Sequence, residues 1–307
     1  MKEKIKNYII ILFIIIVFIL IIINSNLVIE NSLTAIEVWK KSIFPILFPT
    51  FIIIDLLINY DFISILSHIL YKPFYKIFHF NKEELYIFFI SLLGGFPSSS
   101  KYTAYFYNKN QISLDNANRM LMCSHFSNPA FILGTINSLF PYKKLCIIIL
   151  ISHYLGNFIL AFYTREYQEY NLYKRKEKNN LSFSDCLSNS ITNNTKTLLF
   201  ILGSITIFYI LSALITNNIL GNEILSSIIS GILEMTQGIV KITSLKIPLN
   251  IKGILITFFL SFGGLCIHIQ TIGMIKNTNI SYLKFLKGRI IHSTLSIIFY
   301  IIINKLF

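Results

Sequence analysis

The residues best suited to chemistry lie in a short glycine-rich segment that ends at Lys101. The segment combines flexible backbone, one proline and three hydroxyls with a cation at the end of an apolar run. Free N–H groups at the start of a half-helix, serine hydroxyls and a lysine can together bind an anion. The sequence therefore predicts an anion site, and the alternative is a surface loop whose lysine reaches lipid headgroups. The residues expected to contact the substrate are Gly94, Gly95, Phe96, Pro97, Ser98, Ser99, Ser100 and Lys101.

A second polar group interrupts the apolar stretch from Met120 to Tyr142. Ser127 and Asn128 precede Pro129 and could offer hydroxyl and amide contacts opposite the glycine-rich segment. They could also satisfy the carbonyls that the proline kink frees, and the two roles are compatible. A second glycine pair, further along the chain, adds three candidate contacts, namely Gly263, Gly264 and Gln270.

Glu234 ends an uncharged stretch and begins a segment of hydroxyl, amide and glycine character. An acid at such depth should face a cavity or a partner, and it could take part in proton coupling or bind a cation. The alternative is a helix end at the membrane interface, where a glutamate costs little. Thr236 beside it is a further expected substrate contact. Histidines in the apolar segments could relay protons or bond neighbouring helices, with a structural role favoured for the second of them; they are His125, His153, His268 and His292.

The sequence contains no pattern of a known catalytic or metal site. It has no HExxH, GxSxG or GxxxxGK[ST] motif, and its four cysteines include no CxxC pair. We expect the cysteines to be packing residues. The chain is therefore predicted to be no enzyme and to hold neither a cofactor nor a metal.

Long uncharged stretches predict the elements that must position these residues. The chain has 307 residues, 54% of them apolar and 13% charged, with a mean hydropathy of +0.65. This balance excludes disorder, and stretches of about 20 residues can cross the bilayer as helices. The first run, residues 8–23, lacks a small-residue cleavage pattern and predicts an uncleaved anchor helix. The long stretches after it are Met120–Tyr142, Leu145–Thr164, Thr197–Asn222 and Gly253–Ile275.

The net charge of +13 predicts contact with lipid rather than with nucleic acid. The basic residues lie in the gaps between apolar segments, as in Lys174–Lys178 and Lys284–Arg289, and form no single stripe. Such a distribution is typical of the positive-inside bias and of contact with anionic headgroups. We expect an integral protein of the cell membrane with its amino terminus in the cytoplasm.

Consecutive glycines in two apolar segments predict broken helices. Glycine weakens a helix by about 1 kcal/mol relative to alanine, and Pro97 removes a further backbone donor. Residues 91–113 and 261–281 share a serine, a glycine pair and an Asn/Lys-rich turn, which suggests a repeat, although chance similarity is the alternative. The predicted fold is all-α and polytopic, with two related, inverted repeats and re-entrant helices. The expected divisions are an anchor at 1–30, repeats at 31–164 and 197–307, and a polar connecting loop at 165–196.

Six motifs follow one another along the chain: FPILFPTF (44–51), LLGGFPSSSK (92–101), FSNPAFILG (126–134), SHYLGN (152–157), GILEMTQG (231–238) and FGGLCIHIQ (262–270). In this order they resemble the sporulation integral membrane protein YlbJ family. That family lies in the nucleoside-recognition, or Gate, superfamily and is similar in architecture to concentrative nucleoside transporters. Two departures are Ser99-Ser100, where the family usually has Gly-Ala, and Ser-Asn-Pro, where Asn-Ser-Gly-Pro is typical. The resemblance implies a role in endospore formation, with dipicolinic acid moved across the outer forespore membrane.

Together these observations predict a transporter of a small anionic metabolite, dipicolinic acid by the resemblance, that works by alternating access. A nucleoside-like solute is an alternative substrate. A non-transporting sporulation scaffold, with partners docked on residues 165–196, is an alternative function. The sequence leaves open whether H⁺ or Na⁺ is the coupling ion, and it leaves open the direction of transport and the oligomeric state.

Overall fold

The computed structural model describes residues 2–166, 182–217 and 222–306, and in these ranges every regular element is helical. The backbone polar groups of a helix bond within the segment, as a protein in lipid requires. Two π-helical turns, Trp39–Ile43 and Phe131–Ile136, lie between helices. The helices are α1 Lys2–Ile23, α2 Ser25–Val38, α3 Phe44–Asn59, α4 Phe62–Phe78, α5 Lys82–Gly94, α6 Ser98–Asn108, α7 Leu114–Cys123, α8 Asn137–Leu139, α9 Lys143–Tyr163, α10 Phe183–Thr216, α11 Glu223–Leu233, α12 Met235–Ser244, α13 Leu249–Phe262, α14 Gly264–Ile275 and α15 Tyr282–Leu306.

Six helical stretches of the described residues are long and apolar enough to cross a membrane, which confirms an integral membrane protein. The amino-terminal helix α1 leaves its apolar side chains exposed, as a helix in contact with lipid does. The second stretch buries 17% of its most apolar part, and the four later ones bury between a third and two thirds. The candidate spans are Lys4–Ile23, Ser25–Asn59, Lys143–Tyr163, Phe183–Thr216, Leu249–Ile275 and Tyr282–Leu306.

Two pairs of short helices fold back on themselves as antiparallel hairpins. In the first hairpin, α5 and α6, the rings of Tyr86 and Phe106 meet at 5.9 Å although the tip lies between them in sequence. In the second, α11 and α12, a Cβ on Gly238 would lie 2.1 Å from Cα of Gly231, so only glycine allows this approach. The arms have 10 to 13 residues, or about 15 to 20 Å, which is short of the bilayer core.

Each hairpin is followed by a helix that is interrupted midway. Helix α7 ends at Cys123, and helical structure resumes only at Pro129. Helix α13 ends at Gly263, whose φ of +89° is left-handed, and α14 begins directly after it. The continuous helices α9 and α15 pack against each other and against α7 and α13. Helices α3 and α10 pack together separately, and α2 packs against α10.

The structure corrects one predicted boundary and places two prolines inside a continuous helical span. Residues 183–196 of the expected polar loop are helical, because the Ser182 side chain accepts the Asp185 N–H at 3.2 Å and caps α10. Residues 167–181 of that loop lie outside the described ranges. Pro45 and Pro49 do not break their span, because Pro45 occupies the first turn of α3 and Pro49 lies inside it, after the π-helical turn.

Candidate functional site

A cavity lies where the hairpin tips and the interrupted helices meet, and its volume, counted with the open solvent at its mouth, is about 520 Å³. Six of the residues expected to contact a substrate line it, namely Phe96, Ser127, Asn128, Glu234, Thr236 and Gln270. The remaining lining residues are Ser42, Ile43, Ile46, Leu47, Phe131, Ile201, Ile205, Met235 and Ile267.

The cavity has two chemically different walls. One wall is largely aliphatic and comes from the start of α3, with its preceding π-helical turn, and from Ile201 and Ile205 of α10. The other comes from the helix interruptions and supplies hydroxyl, amide and carboxyl groups. Two helical segments begin with lining residues, the π-helical turn at Phe131 and α12 at Met235, and the amino ends of helices carry positive partial charge. The arrangement suits a solute with a flat apolar body and polar or anionic substituents.

The first hairpin tip packs directly against the interruption after α7. Gly95 adopts φ +71°, and a Cβ there would lie 2.6 Å from the backbone nitrogen of Asn128. The Asn128 amide donates to the Leu93 carbonyl at 2.7 Å and accepts the Ala130 N–H at 2.7 Å. Asn128 thus satisfies freed backbone groups and also lines the cavity. The buried hydroxyl of Ser127 has no hydrogen-bond partner in the described part of the chain.

Glu234 forms the tip of the second hairpin. Its Oε2 accepts the Gln237 N–H at 2.8 Å and the Thr236 hydroxyl, so it caps α12. Thr236 in turn shares a hydrogen bond of 2.9 Å with the Tyr209 hydroxyl. The Glu234 side chain is buried, and no lysine, arginine or histidine of the described ranges forms an ion pair with it. Because a buried unpaired carboxylate is costly, Glu234 needs either a proton or a positive group in the cavity.

The second glycine pair positions Gln270 but does not itself line the cavity. Gly264 packs against the tip of the second hairpin, where a Cβ would lie 3.1 Å from the Met235 nitrogen. No described side chain caps the amino end of α14. Gln270, two turns into α14, donates to the Cys266 sulfur at 3.3 Å, while its own Oε1 is buried without a partner in the described residues. A ligand in the cavity can therefore use this oxygen.

Lys101 lies outside the cavity, contrary to the predicted anion site. Its Nζ is 3.3 Å from Oδ1 of Asp55 on α3 and 2.6 Å from Oδ1 of Asn194 on α10. Three further groups bond Asp55: the hydroxyls of Tyr102 and Ser190 and the amide of Asn194. The lysine turns away from the hairpin tip because these partners offer both a counter-charge and hydrogen bonds.

The three serines of the glycine-rich segment form the first turn of α6 and are buried. Ser99 shares a hydrogen bond of 2.7 Å with Ser124, and Ser100 donates to the Pro97 carbonyl at 2.9 Å. The Ser98 hydroxyl has no partner in the described ranges. Ten expected contact residues are thus absent from the cavity lining, namely Gly94, Gly95, Pro97, Ser98, Ser99, Ser100, Lys101, Pro129, Gly263 and Gly264.

Arg289 is a residue whose position the sequence did not predict. It was grouped with basic residues facing headgroups, yet the structure buries it fully. Its guanidinium donates to the carbonyls of Met122 at 2.7 Å, His125 at 3.2 Å and Ser261 at 3.3 Å, where α7 and α13 end. The carboxyl ends of helices carry unpaired carbonyls and negative partial charge, which a cation stabilises. In the sequence, Arg289 stands at the edge of a long uncharged stretch. An arginine at the membrane-interface end of a helix has the same pattern, so the pattern did not reveal its burial.

The histidines hold the interruptions in place. His153 accepts the Ser127 N–H at 2.8 Å through Nε2 and contacts the Ser261 hydroxyl at 2.9 Å through Nδ1. His292 contacts the His153 carbonyl at 2.8 Å. The ring of His125 stacks at 4.5 Å on Phe96, which lines the cavity. A structural role for His153 agrees with the preference drawn from the sequence.

Comparison with characterised proteins finds one whose name matches the sequence resemblance. The sporulation integral membrane protein YlbJ of Bacillus subtilis (strain 168) is 26% identical over 317 aligned positions, covering 90% of this chain and 77% of that protein. No protein-family model matches the chain. No solved structure shows significant similarity to it. The chain is therefore an integral membrane protein homologous to the sporulation protein YlbJ.

Proposed function

We propose that this protein moves a small organic anion across the membrane, and that the anion binds in the cavity between the hairpin tips. The observation that carries the proposal is the set of buried polar groups at this cavity, the Ser127 hydroxyl, Gln270 Oε1 and Glu234, without the partners that a dry interior would require. In a bilayer such groups persist where they line a wet cavity or meet a ligand.

We infer that the chain contains two inverted repeats in a register different from the glycine-pair match. In each half, a hairpin is followed by an interrupted helix and then by a long continuous helix. This order pairs α5–α6 with α11–α12, α7–α8 with α13–α14, and α9 with α15. Gly95 then corresponds to Glu234, and Asn128 corresponds to Gly263. If α3 belongs to the first half and α10 to the second, each half crosses the membrane three times. An odd number of crossings gives the second half the opposite orientation to the first.

Alternating access follows from the two walls of the cavity. The hairpins and interrupted helices form one body held together by Arg289 and the histidines. Helices α3 and α10 form the other body and present mainly aliphatic side chains to the cavity. The aliphatic part of this contact can slide without leaving hydrogen bonds unmade, whereas the bonds of Lys101 with Asp55 and Asn194, and of Thr236 with Tyr209, must break and re-form. With that exchange of partners, relative movement of these bodies can open the cavity to either side.

Dipicolinate is the substrate that the family resemblance implies, and the cavity is compatible with it. Its ring fits beside Phe96, and a carboxylate suits the amino end of α14, which no described side chain caps. The amino end of α12 is already capped by Glu234. Arg289 adds a buried positive charge behind Phe96 and His125, with no carboxylate partner in the described ranges. Lys101 is already occupied by Asp55, so the proposed anion site does not include it. In a sporulating cell the corresponding location is the outer forespore membrane.

A nucleoside-like solute is the second candidate, because hydroxyl, amide and carboxyl groups line the polar wall. These groups can bond a sugar and a base without requiring a charge. The scaffold alternative depends on residues 165–196, of which 167–181 lie outside the described ranges.

The test is counterflow exchange of labelled dipicolinate in liposomes that contain the purified full-length protein. We expect wild-type exchange, and we expect the double variant Ser127→Ala/Gln270→Leu to raise the half-saturating concentration roughly thirtyfold, since the two lost hydrogen bonds cost about 1 kcal/mol each. Ser138→Ala is the matched control, because Ser138 is exposed and bonds only its own turn. Exchange of uridine in place of dipicolinate would favour the second candidate, and exchange of neither solute would overturn the transport proposal.

A further inference from the structure

We propose that the protein couples solute movement to protons, which reach Glu234 along a line of hydroxyls from Lys241 on the same hairpin. The inference rests on the proposed function, because it assigns the ion that accompanies the solute. It uses groups on α10, α11 and α12 that the anion site itself does not need. The bound species is a single proton, and no oxidation or reduction accompanies its transfer.

The inner part of the line joins the cavity to α10. The Glu234 carboxylate accepts the Thr236 hydroxyl, and Thr236 and Tyr209 share a hydrogen bond of 2.9 Å. All three side chains are buried, and Glu234 and Thr236 line the cavity. A proton on Tyr209 can therefore pass through Thr236 to Glu234, each hydroxyl receiving one proton as it releases another.

The outer part joins α10 to Lys241. The hydroxyls of Ser212 and Ser230 lie 3.0 Å apart, and Lys241 Nζ lies 2.8 Å from Ser230 and 2.9 Å from Thr216. Thr216 is the last residue of α10, and Lys241 is partly exposed, so this end approaches the surface of the described helices. Water can therefore supply the proton that Lys241 passes inward.

The two parts meet on one face of α10. Tyr209, Ser212 and Thr216 are spaced by three and four residues, which places them side by side along the helix. No hydrogen bond joins the Ser212 and Tyr209 hydroxyls in the described residues, since Ser212 bonds Ser230 and Tyr209 bonds Thr236. The proposed line therefore requires water between these two hydroxyls.

The charges around the line favour a proton over a fixed ion pair. Two titratable groups face the tip of the second hairpin, Tyr209 from α10 and Cys266 from α14. The other two elements packed there contribute groups that do not titrate: Phe259 from α13, and Asn31 from α2, which bonds Gln237. Lys241 contacts hydroxyls and has no carboxylate partner in the described residues. An anionic solute next to Glu234 requires that carboxyl to be neutral, so binding and proton uptake are linked.

The experiment measures protons and solute separately in the same liposomes. A pH-sensitive dye inside the vesicles reports proton entry when dipicolinate is added outside, and counterflow at equal pH reports solute exchange alone. We expect acidification in the wild type, and at least tenfold slower acidification in Lys241→Met and Ser230→Ala with counterflow changed less than twofold. Tyr209→Phe, which removes one hydroxyl and little volume, should slow acidification similarly. Lys246→Met and Ser227→Ala are matched controls, since Lys246 is exposed and Ser227 bonds only its own helix.

The outcomes separate the two proposals. Absence of wild-type counterflow contradicts the transport function itself. Counterflow without acidification leaves transport standing and overturns proton coupling. Acidification that survives intact in Lys241→Met, Ser230→Ala and Tyr209→Phe overturns the hydroxyl line. If one variant fails to fold, as judged by its elution from a sizing column, the other two still decide the result.

Discussion

The two hairpins have the same shape and opposite chemistry. Each has a tip beside the cavity and a lysine on its returning arm. Lys101 of the first hairpin forms an ion pair with Asp55 of α3 and bonds Asn194 of α10. Within the described residues, Lys241 of the second hairpin bonds only hydroxyls of α10 and α11. The first tip offers the cavity an aromatic ring, Phe96, and the second offers an acid, Glu234. The two hairpins thus have different tasks, since charge holds the first to α3 and α10 while the second carries the ionisable group of the candidate site.

The largest expected effect comes from the close packing that distinguishes the second hairpin. Gly238→Ala places a Cβ against the Gly231 backbone, which cannot move aside as a side chain would. We expect a loss of about 3 kcal/mol in the free energy of unfolding, the upper end for an overpacked core. Titration of the detergent-solubilised protein with denaturing detergent measures this loss.

Gly203→Ala on α10 is the matched control, because nothing lies within 4 Å of the added atom. It should stabilise the helix by about 0.5–1 kcal/mol. If Gly238→Ala and Gly203→Ala changed the free energy of unfolding equally, the antiparallel contact of α11 with α12 would be contradicted.

The next effect concerns the lysine of the first hairpin. Lys101→Met leaves Asp55 without its counter-charge, although three other donors still bond it, so we expect a loss of about 2 kcal/mol. The half-saturating concentration for solute should change less than twofold, because Lys101 does not line the cavity. Unfolding titrations and counterflow measure the two quantities.

The double variant Lys101→Met/Asp55→Asn sharpens this result, because it removes the pair without leaving an unpaired charge. It should recover at least half of the stability lost in the single variant. A tenfold rise in the half-saturating concentration for Lys101→Met alone would restore the sequence-based anion site.

Features that depend on local chemistry could be predicted from the sequence. The break at Pro97 and the position of Glu234 beside a cavity follow from a missing donor and from the cost of a charge in lipid, and the structure agrees with both. The direction of Lys101 depends on Asp55 and Asn194, which are distant in sequence, so no local pattern could reveal it.

The glycine pairs are not structurally equivalent, because the same residue type has a different role in each pair. Gly95 permits a close approach to Asn128, whereas Gly263 ends a helix in the left-handed conformation. The burial of Arg289 could not be predicted from the sequence, because its partners are backbone carbonyls at the two helix interruptions. Every residue has a carbonyl, so such partners have no sequence signature.

The smallest effect on stability, and the sharpest test of the difference between the hairpins, is Glu234→Gln. The amide oxygen can still accept the Gln237 N–H and so cap α12, and we expect the free energy of unfolding to change by less than about 0.5 kcal/mol. Wild-type uptake should rise as the pH falls, because the protonated acid is the form that admits an anion, whereas the uncharged glutamine should remove this pH dependence. Glu223→Gln, an exposed change at the start of the same hairpin, should keep it. Uptake profiles between pH 5 and 8 that coincide for wild type and Glu234→Gln would mean that the carboxyl group takes no part in binding, and the second hairpin would then differ from the first only in its packing.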